Sequence, residues 1–381
     1  MQTVNSQLLT SMPHSPISRR HFLKTSVASA SLLAAPSFVT GRKAALTWHD
    51  VRDWGIEGKG WTNTKRYFDR LPSKAEGVVR EPVWNLSRHS AGMTVRFITD
   101  ATTIEVRYNL LSDRLAMSHM PATGVSGLDL YAENSEGFER WVSVTRPESQ
   151  VVESTIAKDL RPGLRKYTVY LPLYNGVESL EIGVDAEATF EPVSPRTEKP
   201  IVFYGTSIMH GACASRPGMA IPAILGRRFN RSTINLGFSG NGRMEPEVGA
   251  LLSELDPCVF AIDCLPNMNA EMLTERAAPL VRQLRAAHPN TPILLVEDRT
   301  FTNTPFFPKR AAHHKNSRAA FKAAHQSLLD EGIHKLYYLD GENLLGLDGE
   351  GATDGSHPND LGMVRYADAY EPALRAILQQ Y

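Results

Sequence analysis

The stretch Ile-Val-Phe-Tyr-Gly-Thr-Ser-Ile-Met-His-Gly-Ala-Cys-Ala, residues 201–214, joins an apolar, β-favouring run to the start of a helical pattern. The apolar run ends at Gly205, and Ser207 follows two residues later. A strand that turns sharply into a helix exposes a serine hydroxyl at the carboxyl end of a sheet, where backbone N–H groups of the helix start point at whatever the hydroxyl attacks. Ser207 is therefore a candidate nucleophile, although a serine in an ordinary β-turn would give the same local pattern.

The chain from residue 200 to 381 alternates apolar strand-like runs with helical patterns. The runs are 201–204, 233–236, 259–264, 293–296 and 336–339, and the helical patterns cover roughly 217–230, 245–255, 270–288, 316–332 and 361–379. Nearly continuous apolar strands separated by helices are typical of a parallel sheet covered on both faces. Sites in such sheets lie beyond the carboxyl ends of the strands. The sequence therefore predicts an α/β domain whose functional residues come directly after its strands.

The preceding part, residues 43–190, has the pattern of an all-β domain. Its alternating or β-branched runs are 93–98, 103–108, 127–131, 140–144, 167–171 and 179–184, separated by clusters of Gly, Asn, Asp, Pro and Ser. This pattern predicts an antiparallel sandwich or jelly roll. Residues 191–199 are polar and contain proline, which is typical of a linker, so we place the domain boundary there.

The first 42 residues carry a different signal. The stretch Ser-Arg-Arg-His-Phe-Leu-Lys, residues 18–24, precedes a mildly apolar segment rich in Ala and Ser, residues 25–39. This arrangement resembles a twin-arginine export signal; the alternative is a basic disordered tail. The resemblance implies a bacterial protein that the twin-arginine machinery exports to the periplasm or the medium.

Composition excludes several classes of partner. Lys plus Arg and Asp plus Glu number 41 each, so no net field favours nucleic acid or an anionic membrane. No apolar run of about 18 residues lies in the body of the chain, so we predict no transmembrane helix. Cys213, Cys258 and Cys264 are an odd set that suggests no disulfide framework, and no Cys/His spacing resembles a zinc site. We therefore predict neither a metal nor another cofactor.

Polar residues do follow the predicted strands. Gly-Thr-Ser-Ile begins at Gly205, Gly-Phe-Ser-Gly-Asn at Gly237 and Pro-Asn-Met at Pro266, and Asp-Gly-Ser-His-Pro, from Asp354, precedes the last helix. Ester hydrolysis needs a hydroxyl nucleophile, a base that takes its proton and a carboxylate that orients the base. Asp354 and His357 lie three residues apart on one loop, and no other histidine of the chain has an aspartate three residues before it.

The same blocks offer donors for the oxyanion of a tetrahedral intermediate. The backbone N–H groups of Ser207 and Gly240 and the side-chain amide of Asn267 are the candidates. Taken singly, Gly240 is equally well explained as a turn glycine and Asn267 as an amide that caps the next helix. Their occurrence at successive strand ends favours the functional interpretation.

The four blocks, in this order, resemble those of the SGNH (GDSL-type) hydrolase family over residues 200–381. The resemblance implies a flavodoxin-like sheet and acyl-ester hydrolysis without a metal, with Ser207, Asp354 and His357 as the triad and Gly240 and Asn267 in the oxyanion hole. Together with the β-rich half, the chain looks like the two-domain carbohydrate esterases that carry a jelly roll ahead of the hydrolase.

Two positions depart from the family pattern. Thr206 replaces the aspartate of Gly-Asp-Ser, at a position that does no chemistry itself. Met268 replaces the aspartate that often follows the asparagine of the third block, so the support of Asn267 must come from elsewhere.

Two residues after the nucleophile are candidates for substrate binding. His210 would donate to a substrate hydroxyl, or is a plain helix-start histidine. Arg216 would bind a uronate or a sugar hydroxyl, or forms a surface salt bridge.

The sequence thus favours an exported serine esterase that removes acyl groups, with acetyl preferred, from a carbohydrate. One alternative is a glycan-binding protein whose hydrolase domain is inactive. Others are a lipase, or an acyltransferase that uses the same site to acylate a sugar.

Overall fold

The computed structural model of this protein describes residues 45–380, all within one compact unit. The predicted export signal, residues 1–42, lies outside the described residues. Below, the β region denotes residues 45–193 and the α/β region residues 200–380.

The β region consists of two antiparallel sheets. Its strands are β1 (Leu46–Asp50), β2 (Thr94–Thr99), β3 (Ile104–Leu110), β4 (Asp129–Glu133), β5 (Glu139–Val144), β6 (Val151–Ala157), β7 (Arg165–Tyr170), β8 (Val177–Asp185) and β9 (Phe190–Val193), with short helices α1 (Glu81–Ser87) and α2 (Ala122–Val125). The strand orders are β1-β8-β3-β6 and β5-β4-β7-β2-β9. The first eight strands have the order of a jelly roll, as predicted, and β9 extends one edge.

The apolar side chains that pack between the two sheets alternate along the strands, as β3 shows. In β3, Ile104, Val106, Tyr108 and Leu110 are buried while the residues between them are partly or fully exposed. A period of two places all four on the face that looks toward the other sheet. They join a single apolar cluster with inward residues of β2, β7 and β8.

The predicted linker, residues 191–199, is largely part of the fold. Its first three residues belong to β9, which pairs with β2 from Arg96↔Val193 to Thr99↔Phe190. Farther along, the guanidinium of Arg196 binds both carboxylate oxygens of Glu57. An edge strand tolerates proline, so Pro192 does not prevent this pairing, and the polar, proline-containing composition did not reveal the strand.

The α/β region has the predicted parallel sheet. Its elements are β10 (Ile201–Gly205), α3 (Ser207–His210), α4 (Ile221–Arg228), β11 (Thr233–Gly237), α5 (Pro246–Leu252), β12 (Val259–Asp263), α6 (Ala270–Ala287), β13 (Ile293–Val296), α7 (Pro308–Asp330), β14 (Leu336–Leu339) and α8 (Asp360–Leu378). The order β11-β10-β12-β13-β14 is the flavodoxin-like order 2-1-3-4-5. The crevice of such a sheet lies beside its first strand, here β10.

Both apolar cores that cover this sheet include side chains of the β region. Trp61 and Trp84 lie in the core formed with α5, α6 and α7. Leu173 and Tyr174 lie in the core formed with α3, α4 and α8. The two regions therefore share their cores, and the β region reaches the carboxyl edge of the sheet.

Three other predictions concern the whole chain. Cys213, Cys258 and Cys264, for which we predicted no disulfide framework, are free thiols in the described structure. Over residues 45–380, no helix is both long enough and apolar enough to cross a bilayer. Within the same residues, no group of three His, Cys, Asp or Glu side chains could hold a metal ion.

Candidate active site

A tight turn after β10 positions Ser207. A Cβ atom on Gly205 would lie 2.6 Å from the Cγ of Met209 and 2.8 Å from the carbonyl oxygen of Asp263, so this position accepts only glycine. The hydroxyl of Thr206 accepts a hydrogen bond from the N–H of Ile208 at 3.3 Å and caps α3. Thr and Asp are both common helix-capping residues, so the threonine at position 206 is compatible with the helix that begins at the nucleophile. Ser207 is thereby the first residue of α3, with 7% of its surface exposed.

Three side chains form a hydrogen-bonded chain at this point. The Oγ of Ser207 lies 2.9 Å from the Nε2 of His357, and the Nδ1 of His357 lies 2.7 Å from the Oδ2 of Asp354. The carboxylate places the proton of a neutral imidazole on Nδ1, so Nε2 is left to accept from the hydroxyl. This is the arrangement that a serine nucleophile, its base and an orienting carboxylate require.

The loop itself supports the carboxylate of Asp354. Its Oδ1 accepts hydrogen bonds from the backbone N–H groups of Ser356 at 2.9 Å and His357 at 2.8 Å. Partial burial raises the pKa of Asp354, but the hydrogen bonds from His357 and Ser356 outweigh it and lower the pKa to about 2. Asp354 is therefore ionised at neutral pH and opposes an imidazolium with a full negative charge.

The candidate oxyanion donors follow strands that flank β10. Gly205 is in register with Gly237 of β11 and with Asp263 of β12, so the turns after these three strands meet. Gly240 sits in the turn after β11 with φ +70°, a conformation that glycine adopts without strain. Asn267 ends a short 3₁₀ turn after β12.

Backbone donors hold the amide of Asn267. Because two backbone N–H groups face one end of the amide, we assign Oδ1 to that end, where it accepts from the N–H of Asn241 at 3.0 Å and of Gly242 at 3.2 Å. This orientation leaves the NH₂ group to donate elsewhere. Met268, at 2% exposure, is a core residue. The support that the family pattern assigns to an aspartate thus comes here from the neighbouring loop.

The structure corrects the prediction for His210. Its side chain is fully buried, with Nε2 at 2.7 Å from the carbonyl oxygen of Leu173 and its ring stacked on Tyr174 at 4.1 Å between centroids. Burial holds the pKa of His210 well below its usual value. His210 therefore packs α3 against the β region and does not line the rim of a pocket; the Leu173 carbonyl that fixes it could not be inferred from local sequence.

Arg216 also has a different partner from the predicted substrate. Its Nη1 donates to the Oδ2 of Asp129 at 3.0 Å and also contacts the hydroxyl of Tyr131. Asp129 is fully buried and also accepts from the N–H of Gly218 at 2.8 Å and the indole of Trp141 at 3.0 Å. Arg216 therefore forms an ion pair, although with a fully buried carboxylate and not at the surface, and this pair joins the two regions.

Two family profiles match the β region and the α/β region separately. The profile of the GDSL-like lipase/acylhydrolase family matches residues 198–375, and that of the N-terminus of SGNH-hydrolase-type esterases matches residues 46–190. A solved structure from Bacteroides ovatus, described as a GDSL-like lipase, is 33% identical, covers 88% of this chain and 98% of its own, and superposes with a TM-score of 0.84. This chain belongs to the GDSL-like lipase/acylhydrolase family. It is accordingly a hydrolase that acts on ester bonds.

More distant structures share the fold of this GDSL-like hydrolase. A salicylyl-acyltransferase of a tetracycline biosynthetic pathway is 17% identical with a TM-score of 0.68, over 87% of this chain and 97% of its own. An acetyl xylan esterase from Butyrivibrio proteoclasticus is 11% identical with a TM-score of 0.54, over 89% of this chain and 100% of its own. The search of curated proteins found no match to this sequence.

Sequence reasoning missed two residues that the β region brings to this site. The ring of His119, on the loop between β3 and α2, stacks on that of His357 with 6.1 Å between centroids. A pair of backbone hydrogen bonds between Met117 and Met120, of 2.9 and 3.0 Å, shapes this loop. Nothing in the local sequence distinguishes His119 from any loop histidine, because its proximity to His357 arises only from the docking of the two regions.

Arg70 is the second missed residue. Its fully buried guanidinium donates through Nη1 to the carbonyl oxygens of Asn235 at 3.0 Å and Gly237 at 2.8 Å, at the end of β11. Burial lowers the pKa of Arg70 to about 9, so it remains charged at neutral pH. The β region thus holds the strand end from which the Gly240 turn begins.

Proposed function

We propose that this chain is an exported serine esterase that hydrolyses acetyl esters of a carbohydrate. The observation that carries the proposal is the hydrogen-bonded chain from Ser207 through His357 to Asp354, at the carboxyl edge of the sheet.

In the proposed mechanism, the Oγ of Ser207 attacks the ester carbonyl while Nε2 of His357 takes its proton. Asp354 stays ionised and stabilises the imidazolium that forms. Collapse of the tetrahedral intermediate breaks the bond to the sugar oxygen, which receives the proton from His357 and leaves as an alcohol. Water then attacks the acyl-serine with the same base, releasing acetate and restoring Ser207.

The negative charge that develops on the carbonyl oxygen needs donors fixed in advance. We assign this role to the N–H groups of Ser207 and Gly240 and to the NH₂ of Asn267. Removing one donor of this kind typically lowers the rate by about 10²–10³-fold.

Two observations and one prediction from the sequence support the substrate class. The β region, a jelly roll, contributes the ring of His119, so a side chain from outside the α/β region lies beside the proposed base. The same two-region fold occurs in an acetyl xylan esterase. The proposed twin-arginine signal would deliver the enzyme to the periplasm or the medium, where polysaccharides are found.

The test is release of acetate from p-nitrophenyl acetate and from a panel of acetylated plant, algal and bacterial polysaccharides. Ser207→Ala should abolish turnover, whereas Ser253→Ala, a matched change on α5's C-terminal cap, should not. A Ser207→Ala variant as active as the wild type would contradict the assignment of the nucleophile.

Other outcomes bear on the substrate. A strong preference for long acyl chains or lysophospholipids would overturn the carbohydrate part of the proposal. Transfer of the acyl group to an added alcohol in preference to water would favour an acyltransferase. Sugar binding without turnover of any ester would favour a glycan-binding protein.

A further inference from the structure

The loop that carries Asp354 and His357 rests against the segment that follows β13. The N–H of Thr302 donates to the carbonyl oxygen of Gly355 at 2.9 Å. Gly355 has φ +86°, and a Cβ atom there would lie 2.6 Å from the Nδ2 of Asn303. The loop between Asp354 and His357 is therefore packed closely against Thr302 and Asn303.

Arg299 makes the most specific contact of this segment. Its Nε donates to the backbone oxygen of Ser356 at 3.0 Å, and its Nη2 bonds the hydroxyl of the same residue. The planar guanidinium presents these two donors in a fixed relation, so it restrains both the position and the orientation of Ser356. Ser356 directly precedes His357.

Arg299 is itself held by buried partners. Only 2% of its surface is exposed, and its Nη1 pairs with the Oδ1 of Asp298. The N–H of Phe301 donates to the Nε2 of His314 at 3.3 Å, so the ring proton lies on Nδ1, which faces the Oδ2 of Asp298 at 3.3 Å. Because His314 belongs to α7, contacts run from this helix through Asp298 and Arg299 to Ser356 of the loop that carries His357.

We propose that Arg299 is a positioning residue for His357. It contacts no reacting atom. By fixing Ser356, it keeps the Nε2 of His357 at 2.9 Å from the nucleophile, where proton transfer needs it. The inference rests on the proposed function of Ser207 and His357. The competing interpretation is a buried ion pair that only stabilises the fold.

The two interpretations differ in how the loss depends on the leaving group. p-Nitrophenolate departs without a proton, whereas an alkoxide needs one from His357 as it leaves. A displaced His357 therefore impairs attack on both esters and additionally impairs departure of the alcohol. Loss of folded protein would lower the rates with both esters by the same factor.

The test compares Arg299→Met and Arg299→Lys with Arg285→Met, in steady-state kinetics on p-nitrophenyl acetate and on an acetylated sugar. Arg285 is a suitable control because it is also largely buried and binds carbonyl oxygens, those of His288, Pro289 and Thr291, before β13. Arg299→Met should lower kcat for p-nitrophenyl acetate by up to ~10²-fold, the effect typical of a displacement of about 1 Å, with KM unchanged.

For the acetylated sugar, kcat/KM of Arg299→Met should fall further than for p-nitrophenyl acetate. Arg299→Lys keeps a charge beside Asp298 but replaces the planar fork by a single, shorter ammonium group that cannot reproduce the three contacts with Asp298 and Ser356 in the same geometry, so its loss should be intermediate. Arg285→Met should lower Tm without changing kcat well below that Tm.

If kcat/KM of Arg299→Met fell by the same factor for both esters, in proportion to the folded fraction, the positioning role would be overturned. A kcat of Arg299→Met equal to that of the wild type would overturn it as well. If Arg299→Met does not fold, the same two comparisons, of the losses with the two esters and of kcat with the wild-type value, are made on Arg299→Lys and Ser356→Ala. A fully active Ser207→Ala variant would instead refute the proposed function, so the two failures are distinguishable.

Discussion

Substitution of Asn267 can remove the proposed oxyanion donor while keeping the hydrogen bonds that hold this side chain to the neighbouring loop. In Asn267→Asp, a carboxylate oxygen can still accept from the N–H groups of Asn241 and Gly242, but the NH₂ donor is lost and a negative charge faces the developing oxyanion. We expect kcat to fall by at least ~10²–10³-fold, or about 2.7–4 kcal/mol of transition-state stabilisation. Stability should change little, because the loop contacts remain.

Asn267→Ala is the matched comparison, since it removes both functions of the side chain. The N–H groups of Asn241 and Gly242 also bond the carbonyl oxygen of Phe238, at 2.8 and 2.9 Å, so neither is left without a partner. The cost in the free energy of unfolding should therefore be about 1 kcal/mol. Steady-state kinetics and urea unfolding of both variants give these quantities. An Asn267→Asp variant within threefold of wild-type kcat would refute the assigned role.

Three further predictions concern Asp354, Arg216 and His119. The lowered pKa of Asp354 means that the carboxylate stabilises the folded state above its unfolded pKa of 3.8, and that this contribution is lost as the pH falls toward about 2. The difference in unfolding free energy between wild type and Asp354→Asn should therefore shrink from pH 4 to pH 2 in urea titrations. Arg216→Met leaves the carboxylate of Asp129 buried without its cation, so it should cost roughly 3 kcal/mol in urea unfolding with kcat unchanged. His119→Ala should change kcat/KM for acetylated sugars more than for p-nitrophenyl acetate, because the small ester need not reach the β region.

Each of these has a contrary outcome. If the difference in unfolding free energy between wild type and Asp354→Asn stays constant from pH 4 to pH 2, the ionised, hydrogen-bonded carboxylate of Asp354 does not stabilise the folded state. Loss of kcat in a folded Arg216→Met variant would restore the substrate-binding role that the sequence suggested. Equal effects of His119→Ala on both esters would contradict a contact between His119 and the sugar.

Local pattern was sufficient for the parallel sheet because four of its five strands, β10 to β13, are buried on both faces and the half-buried edge strand β14 is still an apolar, β-favouring run. Residues 293–296 and 336–339 were predicted with the bounds that the structure has. The order of polar blocks after the strands likewise located Ser207 and His357, since parallel strands bring their carboxyl ends to one edge.

Features that depend on contacts between distant segments were not predictable. The helix α7 begins at Pro308, whereas the sequence pattern predicted a start at residue 316. The pattern missed the first turns because they are basic and lack an apolar period, although Pro308 suits a first helical position. His210 and Arg216 follow the nucleophile as pocket residues would, but Leu173 and Asp129 of the β region hold them. The substitution at Met268 could be interpreted only once the loop at Asn241 was seen to orient Asn267.

The proposed mechanism depends on Ser207 as the nucleophile that forms the acyl-enzyme. Its most direct test is incubation with a serine-directed phosphonate ester, followed by peptide mapping by mass spectrometry. If Ser207 is the nucleophile, a single adduct should form on Ser207 in parallel with loss of esterase activity, and much more slowly in His357→Ala. An adduct on another residue, or full activity of the labelled enzyme, would contradict this assignment.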